Sequence, residues 1–208
     1  MKIKPEELSG NGFELLDELG HKELVPFIRK YMNKRTLASI IYYVSNILIF
    51  GLVGFYFVIR FEGQDYSFAD RFVYFSYGLA IAFALIPLHE YLHVLAYKSQ
   101  GAKKTSYDAN LRKFYFMALA DKFVANKKEF RVVALTPFIV ITGLSILFLF
   151  FVNPDWRLTI SGALLAHTSM CAGDFGLLSY FELHKNREIV TYDDVEKSLS
   201  YFYARNKD

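Results

Sequence analysis

The 208 residues are 53% hydrophobic and 18% aromatic, with a formal charge of +3 and a single cysteine, Cys171. Apolar content above the roughly 45–50% of a soluble domain points to a membrane protein. The small charge gives no basis for a nucleic-acid partner, and one cysteine excludes an intrachain disulfide.

Residues 1–36 are charged throughout, with apolar residues at Phe13, Leu16, Leu19, Leu24, Phe27 and Ile28. This pattern predicts one or two short amphipathic helices, broken near Gly20 and Pro26, lying on the membrane surface. Four apolar stretches follow, at 37–59, 72–97, 132–152 and 158–183. Each reaches the length of about 20 residues that crosses roughly 30 Å of hydrocarbon. The first begins only after the charged segment, so it is not a removable signal peptide. The fold expected is mainly α, a multi-pass membrane protein of about four transmembrane helices. The chain then divides into a cytoplasmic segment 1–36, a first span 37–59, a membrane core 72–181 and a cytoplasmic tail 182–208.

A polar link, 61–71, leads into the second span, and Asn153-Pro154-Asp155-Trp156 turns the chain between the third and fourth, with Trp156 as an interfacial anchor. All but three of the 24 Lys and Arg residues lie in the N-terminal segment, the loop between spans two and three, and the tail; the exceptions are Arg60, Arg71 and Arg157. Because basic residues near span ends stay inside, both termini and that loop are expected in the cytoplasm. Spans two and four then run in the same direction.

The second span carries Pro87-Leu88-His89-Glu90-Tyr91-Leu92-His93, an H-E-x-x-H pattern. On a helix its two histidines project from one face with the glutamate beside them, which suits one divalent metal. A soluble helix could carry such residues on a solvated face. Within an apolar span, where an ionisable residue costs about 2.5–3.5 kcal/mol near the bilayer centre, they mark function instead. Catalytic zinc takes three protein ligands and leaves a position for water, so one ligand remains to be found.

Depth supplies the candidates. At about 1.5 Å per residue, His89 lies about 26 Å below Phe72 and Asp174 about 24 Å below Leu158 on the parallel span. Asp174 is therefore the favoured third ligand. His167, on the same face of a straight helix but about 10 Å higher, is the rival. It is expected either to point into the site and hydrogen-bond substrate or an oxyanion, or to bridge helices as a buried polar residue. Gly173 and Gly176 would let the spans approach closely. His21 and His184 fall outside the spans and read as surface histidines, and Cys171 as a small buried helix residue.

Between spans two and three, residues 113–121 form a short aromatic run bounded by charge, preceded by 103–107 and followed by 122–124. This predicts a small β-element just after the metal helix. An exposed strand edge there could pair with an extended peptide.

His89-Glu90-x-x-His93, the basic loop, Thr136-Pro137-Phe138 opening the third span, and Gly173-Asp174 in the fourth together resemble the site-2 protease superfamily of intramembrane zinc peptidases. More closely, the chain resembles the bacterial domain-of-unknown-function family described as putative zincin peptidases. The resemblance covers residues 72–181 and implies zinc held by His89, His93 and Asp174, with Glu90 as the base. Where site-2 proteases usually carry Asn-Pro ahead of Leu-Asp-Gly, this chain has Ala166-His167-Thr168 and then Ala172-Gly173-Asp174. His167 thus stands where the superfamily's asparagine is thought to hold the substrate carbonyl.

The function expected is hydrolysis of a peptide bond in a membrane or juxtamembrane segment of a protein or peptide substrate, by an integral protein of the bacterial cytoplasmic membrane. The alternatives are a metal-binding membrane scaffold or regulator without turnover, and a metallopeptidase of another lineage with a glutamate third ligand. For the latter the fourth span offers only Glu182, about 12 Å beyond Asp174.

Overall fold

The computed structural model describes residues 3–59, 67–110 and 115–207. Most of the expected link 61–71, and Arg112, Lys113 and Phe114 of the loop, lie outside them. The protein is mainly helical, and its described residues separate into two compact units.

The first unit comprises Met1–Ser39, Glu90–Thr136 and Gly173–Asp208. Its centre is a four-stranded antiparallel sheet of β1 (Glu14–Gly20), β4 (Ala125–Asn126), β5 (Arg187–Asp194) and β6 (Leu199–Asn206), in the order β1-β6-β5-β4. Residues 14–20 are therefore a strand and not the expected amphipathic helix. Their local pattern suits either state, and pairing along β6, from Glu14 opposite Ala204 to Gly20 opposite Leu199, decides it. The expected tail supplies the partner. In β6, Ser200, Phe202 and Ala204 are buried in alternation, the period of a half-buried strand.

Phe202 carries the sheet onto helices. Its ring lies 4.6 Å from Tyr180 and 5.9 Å from Phe27, so α7 (Ala172–Leu183) and α1 (Leu24–Met32) share one aromatic core with it. The α7–α1 contact is close: a Cβ on Gly176 would come within 2.8 Å of the Ile28 side chain. Gly173, also expected to permit close approach, has nothing within 4 Å of its Cβ position. Ser179 donates to the Tyr31 carbonyl at 2.8 Å, and the Glu182 carboxylate accepts the Ala38 N–H at 3.0 Å. Glu182 thereby satisfies an otherwise unpaired donor in the first turn of α2 (Leu37–Val58).

The expected β-element forms as well. β2 (Thr105–Asn110) and β3 (Tyr115–Ala120) pair antiparallel, from Thr105 opposite Ala120 to Asn110 opposite Tyr115. His21, expected at the surface, is 2% exposed. Its Nδ1 lies 2.9 Å from an Asp108 carboxylate oxygen on β2, and that partner offsets the cost of burying the ring. His184 is half-buried against Tyr180.

The second unit comprises Ile40–His89 and Pro137–Ala172. It holds most of α2, α3 (Phe68–Ala84), the opening of α4 (Ile86–Ser99), most of α5 (Lys127–Leu149), and α6 (Pro154–Met170). Among the described residues three helices are long and apolar enough to cross a membrane: Leu37–Val58, Phe68–Ser99 and Lys127–Leu149. The second joins α3 and α4 across Leu85. The break there has a cause in Pro87, which has no N–H to give the carbonyl four residues back. Residues 158–183, expected as one straight span, are α6 and α7 meeting at Cys171, and neither has the length of the three long helices.

Three helix starts precede the apolar runs that announced them, and α6 opens at Pro154, within the expected turn and before the expected 158. Ser67 and Asp70 form a capping box that opens α3 at Phe68, before the expected 72. Asn126 accepts the N–H groups of Lys128 and Glu129 at 2.9 and 3.1 Å, opening α5 at Lys127, before the expected 132.

Within the second unit α3 lies directly on α6. A Cβ on Gly78 would overlap the Thr159 carbonyl oxygen, one on Gly162 would stand 2.9 Å from Phe75, and the Thr159 hydroxyl donates to the Tyr74 carbonyl at 2.7 Å. Asn46 of α2 accepts from Thr168 and Ser169 of α6. Large apolar side chains face outward, among them Ile47, Phe50, Phe150 and Phe151. Overpacking a close contact typically costs about 1–3 kcal/mol, so Gly78→Ala should lower stability in detergent by that amount. Gly51→Ala, in open space, should change it little. Equal unfolding midpoints for the two variants would show that the Gly78 contact is not limiting.

A candidate metal centre

α4 carries the H-E-x-x-H residues on consecutive turns of one helix. His89, Glu90 and His93 offer ligand atoms that all lie within 4.8 Å of one another. Glu90 is 9% and His93 7% exposed. Burial of a carboxylate and an imidazole beside each other calls for partners, and those partners define the chemistry.

His93 is held at both ring nitrogens. Its Nδ1 lies 3.0 Å from the carbonyl oxygen of Val133 on α5, so Nδ1–H donates there and Nε2 keeps its lone pair. The acceptor is open because of Pro137, four residues on, which cannot make the helical bond to Val133. Nε2 then lies 3.2 Å from Asp174 Oδ1. Zinc holds nitrogen and oxygen donors at about 2.0–2.1 Å, so two of them at a tetrahedral ion stand about 3.3 Å apart. The His93–Asp174 pair has that spacing. The backbone carbonyl behind His93 is the outer partner that zinc-bound histidines usually have. Asp174 sits in the first turn of α7, where the helix dipole favours a carboxylate.

His89 has a different neighbour. Its Nδ1 lies 3.2 Å from His167 Nε2, on the last turn of α6, and Cys171 Sγ lies 3.9 Å from the same His167 nitrogen. The sequence argument set His167 and Asp174 about 10 Å apart along one straight helix. The chain instead turns at Cys171, where ψ is 3°, so the two residues belong to separate helices. His167 thus meets His89, and Asp174 meets His93.

Sequence reasoning missed two features that the structure places beside these histidines. Cys171 follows His167 by four residues, the same one-face spacing as His89 and His93. Val133 carries no side-chain signal, but a proline four residues beyond a helical position marks a carbonyl left for another donor. Glu182, the one alternative carboxylate, is engaged at the start of α2.

His93 with Asp174 at ligand spacing, beside His89 and a buried Glu90, is a set of donors that could hold a metal ion. The chain belongs to the DUF3267 family, described as "Putative zincin peptidase", whose model matches residues 82–188 and so takes in α4, α5, α6 and α7. No curated protein and no solved structure matches the chain.

Pro137→Ala would supply Val133 with a helical N–H and draw its carbonyl away from His93. Losing such an outer partner typically weakens metal binding about 10- to 100-fold. Zinc affinity measured by competition with a chelator should fall by that factor. An unchanged affinity would show that the Val133 carbonyl does not orient the ring.

Proposed function

We propose that the chain is an intramembrane zinc metallopeptidase that hydrolyses a peptide bond in a membrane or juxtamembrane segment. The observation that carries this reading is the 3.2 Å spacing of His93 Nε2 and Asp174 Oδ1, one helical turn from a buried glutamate. His89, His93 and Asp174 hold the metal, and His167 hydrogen-bonds the substrate or an oxyanion. When bound, zinc supplies a Lewis acid that polarises the scissile carbonyl and lowers the pKa of water.

The remaining chemistry belongs to the chain. Glu90 accepts the proton of the attacking water and returns it to the leaving amine. The Val133 carbonyl keeps His93 in the tautomer whose Nε2 is free to ligate. Among the described residues β2 pairs only with β3, leaving an edge for an extended substrate, and Tyr107 on it is exposed. The substrate must unwind there, because a helix withholds its backbone from attack.

The chain makes four passes, the fourth being α6 and α7 with their turn at Cys171. Both termini and the loop 98–131 face the cytoplasm of a bacterial membrane. The charge asymmetry supports this orientation. Reporter fusions at residues 65 and 155 should read as external, and those at 110 and 208 as internal. An external signal at 110 would reverse the topology.

Glu90→Gln separates catalysis from binding. Zinc should stay at about one per chain, because Glu90 is not a ligand. Cleavage of a membrane-tethered reporter helix with a helix-destabilising residue near its cytoplasmic end should fall about 10²- to 10⁴-fold. Asp174→Ala should lose both zinc and cleavage. Equal cleavage by wild type and Glu90→Gln would remove Glu90 as the base. Full zinc occupancy without any cleavage by wild type would favour a metal-binding scaffold.

A further inference from the structure

We propose that His89, His167 and Cys171 form a second metal-ligand set, a two-histidine, one-thiolate site for zinc that shares His89 with the set described above. Their ligand atoms all lie within 4.8 Å of one another. His89 Nδ1 and His167 Nε2 are 3.2 Å apart, and Cys171 Sγ and His167 Nε2 are 3.9 Å apart. Zinc binds nitrogen at about 2.0–2.1 Å and sulfur at about 2.3 Å, which places donors on a tetrahedral ion about 3.3 Å apart for two nitrogens and about 3.6 Å for nitrogen and sulfur. The observed spacings lie within a few tenths of an ångström of both values.

Three further observations support the set. His167 and Cys171 are 1% and 0% exposed, so the donors are shielded from water. They are four residues apart at the end of α6, and the turn at Cys171 keeps its sulfur beside the His167 ring. All three residues belong to the second unit, so the set is complete within it. A thiolate with two imidazoles selects zinc or cuprous ion over magnesium, calcium or manganese, which prefer oxygen donors.

The second set has only His89 in common with the first, and a His167 that ligates the ion is withdrawn from substrate. Thiolate donation also makes the ion a weaker Lewis acid. The proposal rests on its own three donors and draws only His89 from the peptidase reading.

Cobalt distinguishes the two. Zinc is removed from the full-length protein in detergent with a chelator, and Co²⁺ is titrated under a phosphine reductant that carries no thiol. Cys171 is the chain's one cysteine, so a thiolate-to-cobalt charge-transfer band in the near ultraviolet can come only from it. Wild type should show the band. Cys171→Ser and His167→Ala should lose it, and Asp174→Asn should keep or strengthen it. Wild type that binds cobalt without the band overturns the second set. If that binding also depends on Asp174, the peptidase ligand set survives. Conversely, a band in wild type whose cobalt affinity is indifferent to Asp174→Asn supports the second set and sinks the first. Cadmium NMR of the unmutated chain supplies a measurement that needs no variant to fold: a thiolate-shifted resonance supports the set, and its absence from a loaded sample overturns it.

Discussion

The hydrogen bond from His93 to the Val133 carbonyl governs the candidate centre. A histidine can offer either nitrogen to a metal, and which one it offers depends on what the other nitrogen holds. Here the choice is made by backbone chemistry. Pro137 leaves Val133 without its helical donor, and a buried carbonyl left in that state costs free energy until another donor reaches it. His93 is that donor. The freed nitrogen is then set 3.2 Å from Asp174. One imino acid on α5 thereby fixes the tautomer of a residue on α4.

Asp174 is positioned by different means. It opens α7, and α7 is packed through Tyr180 and Phe181 onto Phe202 of the sheet and through Gly176 onto Ile28 of α1. The sheet therefore buries one face of the helix that carries the carboxylate, and its strands come from residues far apart in the sequence. Glu182, three turns or less along that helix from Asp174, ties the start of α2 to the same assembly.

What the sequence made legible was local. H-E-x-x-H is a spacing within one helix, and it needs no partner to be recognised. Apolar length marked the three long helices, and the small hairpin followed from an aromatic run between charges. The misses have physical causes. Glu14–Gly20 reads as an amphipathic segment because its fate depends on β6, nearly the whole chain away. The early starts of α3 and α5 lie in capping boxes, Ser67 with Asp70 and Asn126 with Glu129, which were readable outside the apolar windows. The turn at Cys171 has no proline beside it to announce it. That turn undid the straight-helix comparison of depths, and Asp174 reaches His93 from a separate helix.

The β1–β6 pairing also bears on the order of events during synthesis. β1 is made long before β6, so their pairing cannot close until the whole intervening chain has been made. Contacts of such long sequence separation form late, after the intervening loops have been closed. The aromatic core that seats α7 includes Phe202 of β6, so it too is incomplete until then. The seat of Asp174 is therefore unfinished while the long apolar helices are being made, and any activity that depends on this carboxylate waits for β6.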